Sequence, residues 1–210
     1  TDIVGARVNL SLAFTASEPV IATATISGSL DSIEDIEFVT GAAKQNRTSP
    51  RWEGAAMGIR DGERAGPLGA LSTQSPCLAT FSIDTGLQLV DRICASAPNG
   101  IEETFVSAKA PTGSMDPEAT AERDIPWLNR LRLGELASFF TSLGDTDGNR
   151  FEFQFPGLQS TAANSGDRDG ILTHDISFDV TGGNLYNATG GGNVGTEGVD
   201  NEIVILYHQA

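Results

Sequence analysis

Lysine is nearly absent. Lys44 and Lys109 are the only two in 210 residues, and the whole chain sets 13 basic side chains against 28 acidic ones, a formal charge of −15. Such a chain repels nucleic acid, because binding it depends on neutralising phosphates with Lys and Arg. The same repulsion suits a surface that lets DNA pass without holding it. Cysteine is equally scarce: Cys77 and Cys94 could pair, but two thiols neither specify a disulfide framework nor supply a structural zinc site, so free thiols are expected. Only His174 and His208 could serve a histidine-based triad, and no Gly-x-Ser-x-Gly elbow selects a serine for either. No apolar run approaches the roughly 18–20 residues that span a membrane. No charged-then-apolar signal segment opens the chain, so a soluble protein is expected, and Thr1 fits a removed initiator methionine as well as a mature or truncated chain.

What is present is alternation. At 22.0 kDa, with 39% hydrophobic residues and 24 glycines, the chain suits one domain of short strands and long loops. Val8, Leu10, Leu12 and Phe14 alternate with polar or small residues, Ser17-Glu18-Pro19 turns, and Val20 to Ser27 returns, which predicts a hairpin. A third strand is expected over Ile33 to Val39. From Thr40 to Pro76 the pattern collapses into Gly and Pro, and this long excursion, with Lys44, Arg47, Arg51, Trp52, Arg60 and Arg64, is expected to become ordered against a partner. Leu78 to Ile83 and Leu87 to Ile93 predict a second hairpin around Asp84-Thr85-Gly86. Residues 96–126 read as loop, with a short strand at Glu103 to Ser107.

Leu133, Leu136, Ala137 and Phe140 fall at helical spacing before Gly144, which predicts one amphipathic helix over Leu131 to Leu143, flanking a sheet. Phe151, Phe153 and Phe155 then alternate as a strand. A turn-rich link from Ser160 to Gly170 leads to a second strand, Ile171 to Val180, with Leu172, Ile176, Phe178 and Val180 on one face, interrupted by His174. A Gly-rich loop at 181–200 and a last strand from Glu202 to His208 complete an α+β, mainly β, chain.

Candidate chemistry is thin. Asp145 to Asn149 offers closely spaced oxygens, but Arg150 stands at the sharp-turn Gly position of a calcium loop and Pro156 at that of its bidentate Glu, so a turn leading out of the helix is expected. Asp167 to Gly170 likewise reads as a turn. Gly190 to Gly195 lacks the Gly-Lys-Ser/Thr ending of a phosphate loop. Carboxylate pairs abound without one standing out from a solvated surface. No catalytic group, cofactor or metal is called.

The C-terminal third carries a resemblance. Leu131 to Leu143, the strand ending in Phe155-Pro156, the turn Gly166-Asp167-Arg168-Asp169-Gly170-Ile171, a further strand and the closing Asp200-Asn201-Glu202-Ile203-Val204-Ile205 resemble the major tail tube proteins of long-tailed bacteriophages, and the hairpin Val8 to Gly28 is compatible with them. The resemblance implies a β-sandwich or barrel-like subunit with one flanking helix, assembling into stacked, hexameric rings whose bore delivers DNA. It also implies a virion tail location after assembly in the bacterial cytoplasm. Implied partners are copies of the chain and other tail proteins: terminator, distal tail and tape measure. Loops such as 40–76 would reach neighbouring copies. The polar strand positions Glu152, Gln154, Asp175, Ser177 and Asp179 face either the bore or outer solvent. An extracellular β-sandwich binding module for carbohydrate or a cell surface, assisted by calcium, and a capsid decoration protein are the alternatives.

Overall fold

Period-two alternation governs most of the chain, and the backbone follows it into strands. The computed structural model describes residues 2–32, 49–61, 74–97, 100–144, 149–181 and 203–208. Among them run β1 (Asp2–Thr15), β2 (Ile21–Ser32), β3 (Met57–Asp61), β4 (Leu78–Asp84), β5 (Leu87–Ile93), β6 (Ile101–Lys109), β7 (Thr112–Pro117), α1 (Trp127–Leu133), β8 (Leu136–Leu143), β9 (Arg150–Arg168), β10 (Ile171–Thr181) and β11 (Val204–His208). The fold is mainly β with one helix. Nine strands make one antiparallel sheet in the order β2-β1-β4-β7-β10-β9-β8-β3, with β11 added to β9, while β5 and β6 form a separate two-stranded ribbon.

The sheet curls on itself. Three strands separate β1 from β9 in the order, yet Phe14 of β1 meets Phe153 of β9 edge-on with ring centroids 5.0 Å apart. Phe81 of β4 lies at the centre, 4.8 Å from Phe139, 4.9 Å from Phe155, 5.5 Å from Phe14 and 5.7 Å from Phe178. Each fully buried phenylalanine contributes about 2–3 kcal/mol of transfer free energy, so this aromatic cluster is the main cohesive term of the fold. Gly113 of β7 lies under it. A Cβ there would run into the Phe178 ring and the Ser82 carbonyl, so only glycine admits the ring.

The expected hairpin of β1 and β2 forms about the turn at Ser17, and Leu12 and Phe14 are buried as their alternation requires. Five other expectations are corrected. The helix is α1, not Leu131 to Leu143: Gly134, at φ 65°, takes the left-handed position that ends a helix, and Leu136–Leu143 continues as β8. Helical spacing there was a coincidence of two periods, since Ala137, Phe139 and Thr141 alternate inward on β8. Of the excursion, residues 49–61 are built into the body. β3 pairs with β8, Pro19 bridges Arg51, and Trp52 is buried at 3% exposure. The link Ser160 to Gly170 is strand as far as Arg168, because β9 pairs with β10 to its tip and only Asp169-Gly170 turns, both at positive φ. Asn149 therefore sits in a strand-to-strand connection, not a helix exit. The expectations at Ile33 to Val39, Asp145 to Gly148 and residues 182–200 lie outside the described residues.

The predicted hairpin of β4 with β5 is the fourth correction. Both strands exist, but β4 pairs with β1 and β7, and β5 pairs with β6. Asp84 and Thr112 are direct cross-strand partners, so the β5–β6 ribbon leaves the sheet between two strands already joined. Its base is pinched where Ala110 N–H donates to the Gly86 carbonyl at 3.2 Å, and a Cβ on Gly86 would collide with Ala110. The ribbon rests on β1 and β2, burying Thr104, whose hydroxyl donates to Asp91 at 2.7 Å. β7 itself, within a region expected to be loop, completes the sheet.

Candidate functional site

Alternation that sends large apolar side chains into the core leaves the opposite face of the sheet to their neighbours. Register aligns those neighbours into rows. One row runs Thr23, Ser11, Asp84, Thr112, Asp179 and Gln159 across β2, β1, β4, β7, β10 and β9. The next runs Ile21, Ala13, Ser82, Ser114, Ser177 and Ala162 over the same strands. Thr15 with Thr80, and Asp175 with Asn164, extend the pattern, and Asp116 lies two residues along β7 from Ser114. The result is a broad wall of small hydroxyls and carboxylates. Ile21 at its edge is the only large apolar side chain in the two rows.

Local contacts tie the wall's strands together. Ser82 and Ser114 hydroxyls meet at 2.9 Å, and Asp84 Oδ1 accepts from Asn9 Nδ2 at 3.2 Å and from Gly86 N–H at 2.7 Å. At its lower end β4 bulges, and Asp116 Oδ1 accepts the N–H groups of Ala79 and Thr80 at 3.0 and 2.6 Å. Arg168 is the cation at this end. It donates to Asp116 Oδ2 at 3.1 Å and to Glu118 Oε1 at 2.9 Å, so its charge is answered twice over within the fold. Among the described residues no cation pairs with Asp84, Asp175 or Asp179, and the wall stays anionic.

Asp116→Ala is expected to lower stability by about 2–3 kcal/mol, since it strips acceptors from two strand N–H groups and a carboxylate from Arg168. Asp116→Asn, which keeps an acceptor for the bulge, should lose roughly half as much by urea denaturation. A second consequence concerns Cys77, whose thiol donates to Glu118 Oε1 at 3.2 Å. That hydrogen bond first, then burial and the Glu118 charge, push the thiol pKa up, with Arg168 pulling the other way. A raised pKa means less thiolate at a given pH, so Cys77, although exposed, should alkylate more slowly at about pH 8 than an unperturbed thiol. Glu118→Gln should speed the labelling, followed by mass spectrometry.

Of the residues singled out from sequence, Asp175, Ser177 and Asp179 stand together, exposed, on this wall. Glu152 and Gln154 do not share that exposure. They are 4% and 7% exposed, joined by a 2.7 Å hydrogen bond from Gln154 Nε2 to Glu152 Oε1, because this half of β9 is flanked on both sides by β8 and β11. Trp52 is likewise no contact residue for a neighbour: it packs edge-on against Phe14 at 5.6 Å and donates its Nε1–H to Thr141 at 2.8 Å. Arg51 is exposed, Arg60 lies on β3, and Lys44, Arg47 and Arg64 fall outside the described residues.

Sequence reading missed Ser11, Ser82, Asp84, Thr112, Ser114 and Asp116. The signal lay in the alternation of Leu-Ala-Thr-Phe-Ser-Ile-Asp and Thr-Gly-Ser-Met-Asp-Pro, but only strand order shows that the two segments are neighbours. Among the described residues, no group of three His, Cys, Asp or Glu side chains is placed to hold a metal ion, and no helix is long and apolar enough to cross a membrane. No protein-family model matches the chain, and no curated protein matches it.

Proposed function

We propose that the chain is a structural subunit that self-assembles into stacked, hexameric rings of a phage-type tail tube, with the hydroxyl and carboxylate wall turned toward the bore. The observation that carries this reading is the wall itself. Six adjacent strands present Ser, Thr, Ala and Asp, with Gln159 and Ile21 at the two margins, and Arg168, the cation at its lower end, is held by Asp116 and Glu118. Within the two rows a passing duplex finds no cation to exchange for its counterions, the step that drives attachment to proteins, and Arg7, farther along β1 on the same face, is outnumbered by the carboxylates. Within a screening distance of about 8 Å at physiological salt, it meets repulsion from Asp84, Asp175 and Asp179.

Small side chains matter as much as charge, because they leave nothing to intercalate or stack on a base. The reading assigns no catalysis to the chain. Its partners are copies of itself and the other tail proteins, terminator, distal tail and tape measure, and its destination is the virion tail. Negative-stain electron microscopy of the concentrated protein tests it: rings or tubes with a central channel are expected. A chain that stays monomeric across salt and concentration would overturn it.

A further inference from the structure

The ribbon of β5 and β6 is a sheet of its own, joined covalently to the wall at two points, on either side of the closed Asp84–Thr112 pair. Its root is polar. Asn9, two residues along β1 from the wall residue Ser11, reaches three neighbouring residues with one amide. Its Oδ1 accepts the Leu87 N–H of β5 at 2.9 Å and the Thr85 hydroxyl at 2.7 Å, while its Nδ2 donates to Asp84 Oδ1 at 3.2 Å. Asp84 Oδ1 accepts the Gly86 N–H as well. Thr85 is fixed in turn to Leu10, donating its N–H to the Leu10 carbonyl at 2.9 Å and accepting the Leu10 N–H on its hydroxyl at 3.0 Å. One orientation of the amide serves. Turned over, it would aim its oxygen at the Asp84 carboxylate and its nitrogen at two donors.

Asn9, Asp84, Thr85, Gly86 and Leu87 are all half-buried, so water can take over these bonds when they break. The sheet is held by other means: among the described residues, its hydrophobic core takes no side chain from the ribbon.

We propose that Asn9 is a latch, which holds the ribbon at one angle to the wall and whose release lets the ribbon swing on Gly86 and Ala110 as a unit while the sheet stays folded. Two of its bonds go to the chain entering the ribbon and one goes to the wall. The position of the ribbon and the engagement of the Asp84 carboxylate are thereby tied together, and a pull on the ribbon is felt at the wall. Opening at a root of solvent-exchangeable hydrogen bonds costs less than unfolding the aromatic core. The latch stands apart from the assembly reading and is tested on the chain in any oligomeric state.

The test is native-state hydrogen exchange on the full chain, read by mass spectrometry over peptides of the ribbon and of β9 and β10, with melting followed in parallel. Asn9→Ala should speed exchange across residues 87–109 by about tenfold and leave the β9 and β10 peptides at wild-type rates. Asn9→Asp, of the same shape, keeps both acceptor bonds but sets a second carboxylate against Asp84, and should open the ribbon likewise. Combining Asn9→Asp with Asp84→Asn reverses donor and acceptor and still leaves an oxygen for the Gly86 N–H. That pair should return the ribbon to near wild-type protection, a rescue that a general loss of stability would not show. Exchange rising equally in ribbon and sheet would overturn the latch and make Asn9 one stabilising residue among many. Unchanged ribbon protection in Asn9→Ala would overturn it too, and a pair that fails to rescue would remove the tie to Asp84.

Discussion

Phe81→Ala is expected to cost about 3–5 kcal/mol, a large fraction of a typical domain's total stability. The ring is 1% exposed and touches Phe14, Phe139, Phe155 and Phe178, which come from four different strands, so its loss leaves a cavity that no single neighbour can fill. Urea denaturation followed by circular dichroism measures the change as a shift in midpoint at constant slope. Ser82→Ala, one residue along and facing the other way, is the comparison and should stay within about 1 kcal/mol. Equal losses from the two would mean that β4 does not divide core from wall as its alternation implies.

The second large effect concerns the wall. Reversing charge with Asp175→Lys together with Asp179→Lys should give the assembled protein an affinity for duplex DNA that the wild type lacks. Each phosphate neutralised steepens the fall of log K with log salt by about 0.9, so two contacts predict roughly tenfold weaker binding at 200 mM than at 50 mM salt. Fluorescence anisotropy with a labelled duplex reads both the affinity and its slope. Glu102→Lys with Glu103→Lys, placed on the ribbon where Arg92 now pairs with both carboxylates, is the control. Should the ribbon pair bind DNA as strongly as the wall pair, the wall has no privileged place in the passage of DNA.

How legible was this in the sequence? Phe153 and Phe155, Leu12 and Phe14, and Ile176 and Phe178 were readable as core because a period of two survives without tertiary information. The helix was not, because Leu133, Leu136, Ala137 and Phe140 satisfy a helical period by straddling Gly134. A single residue in the left-handed region outweighed four in register. The wall was half legible. Asp175, Ser177 and Asp179 announce a polar face by alternation within one strand, but Ser82, Ser114 and Asp84 join them only through pairings between segments distant in the chain. Glu152 and Gln154 show the limit of the same rule, since alternation assigns a side of the sheet and not whether that side is covered.

The ribbon of β5 and β6 carries an implication for how such a chain can vary. Because Asp84 and Thr112 are already partners where it departs, everything from Gly86 to Ala110 is an appendage on a finished edge-to-edge seam. Its length could change by cross-strand pairs, or its tip be exchanged for another sequence, without shifting the register of the wall by one residue. The molecule thereby separates a part that must stay constant in geometry from a part free to diversify.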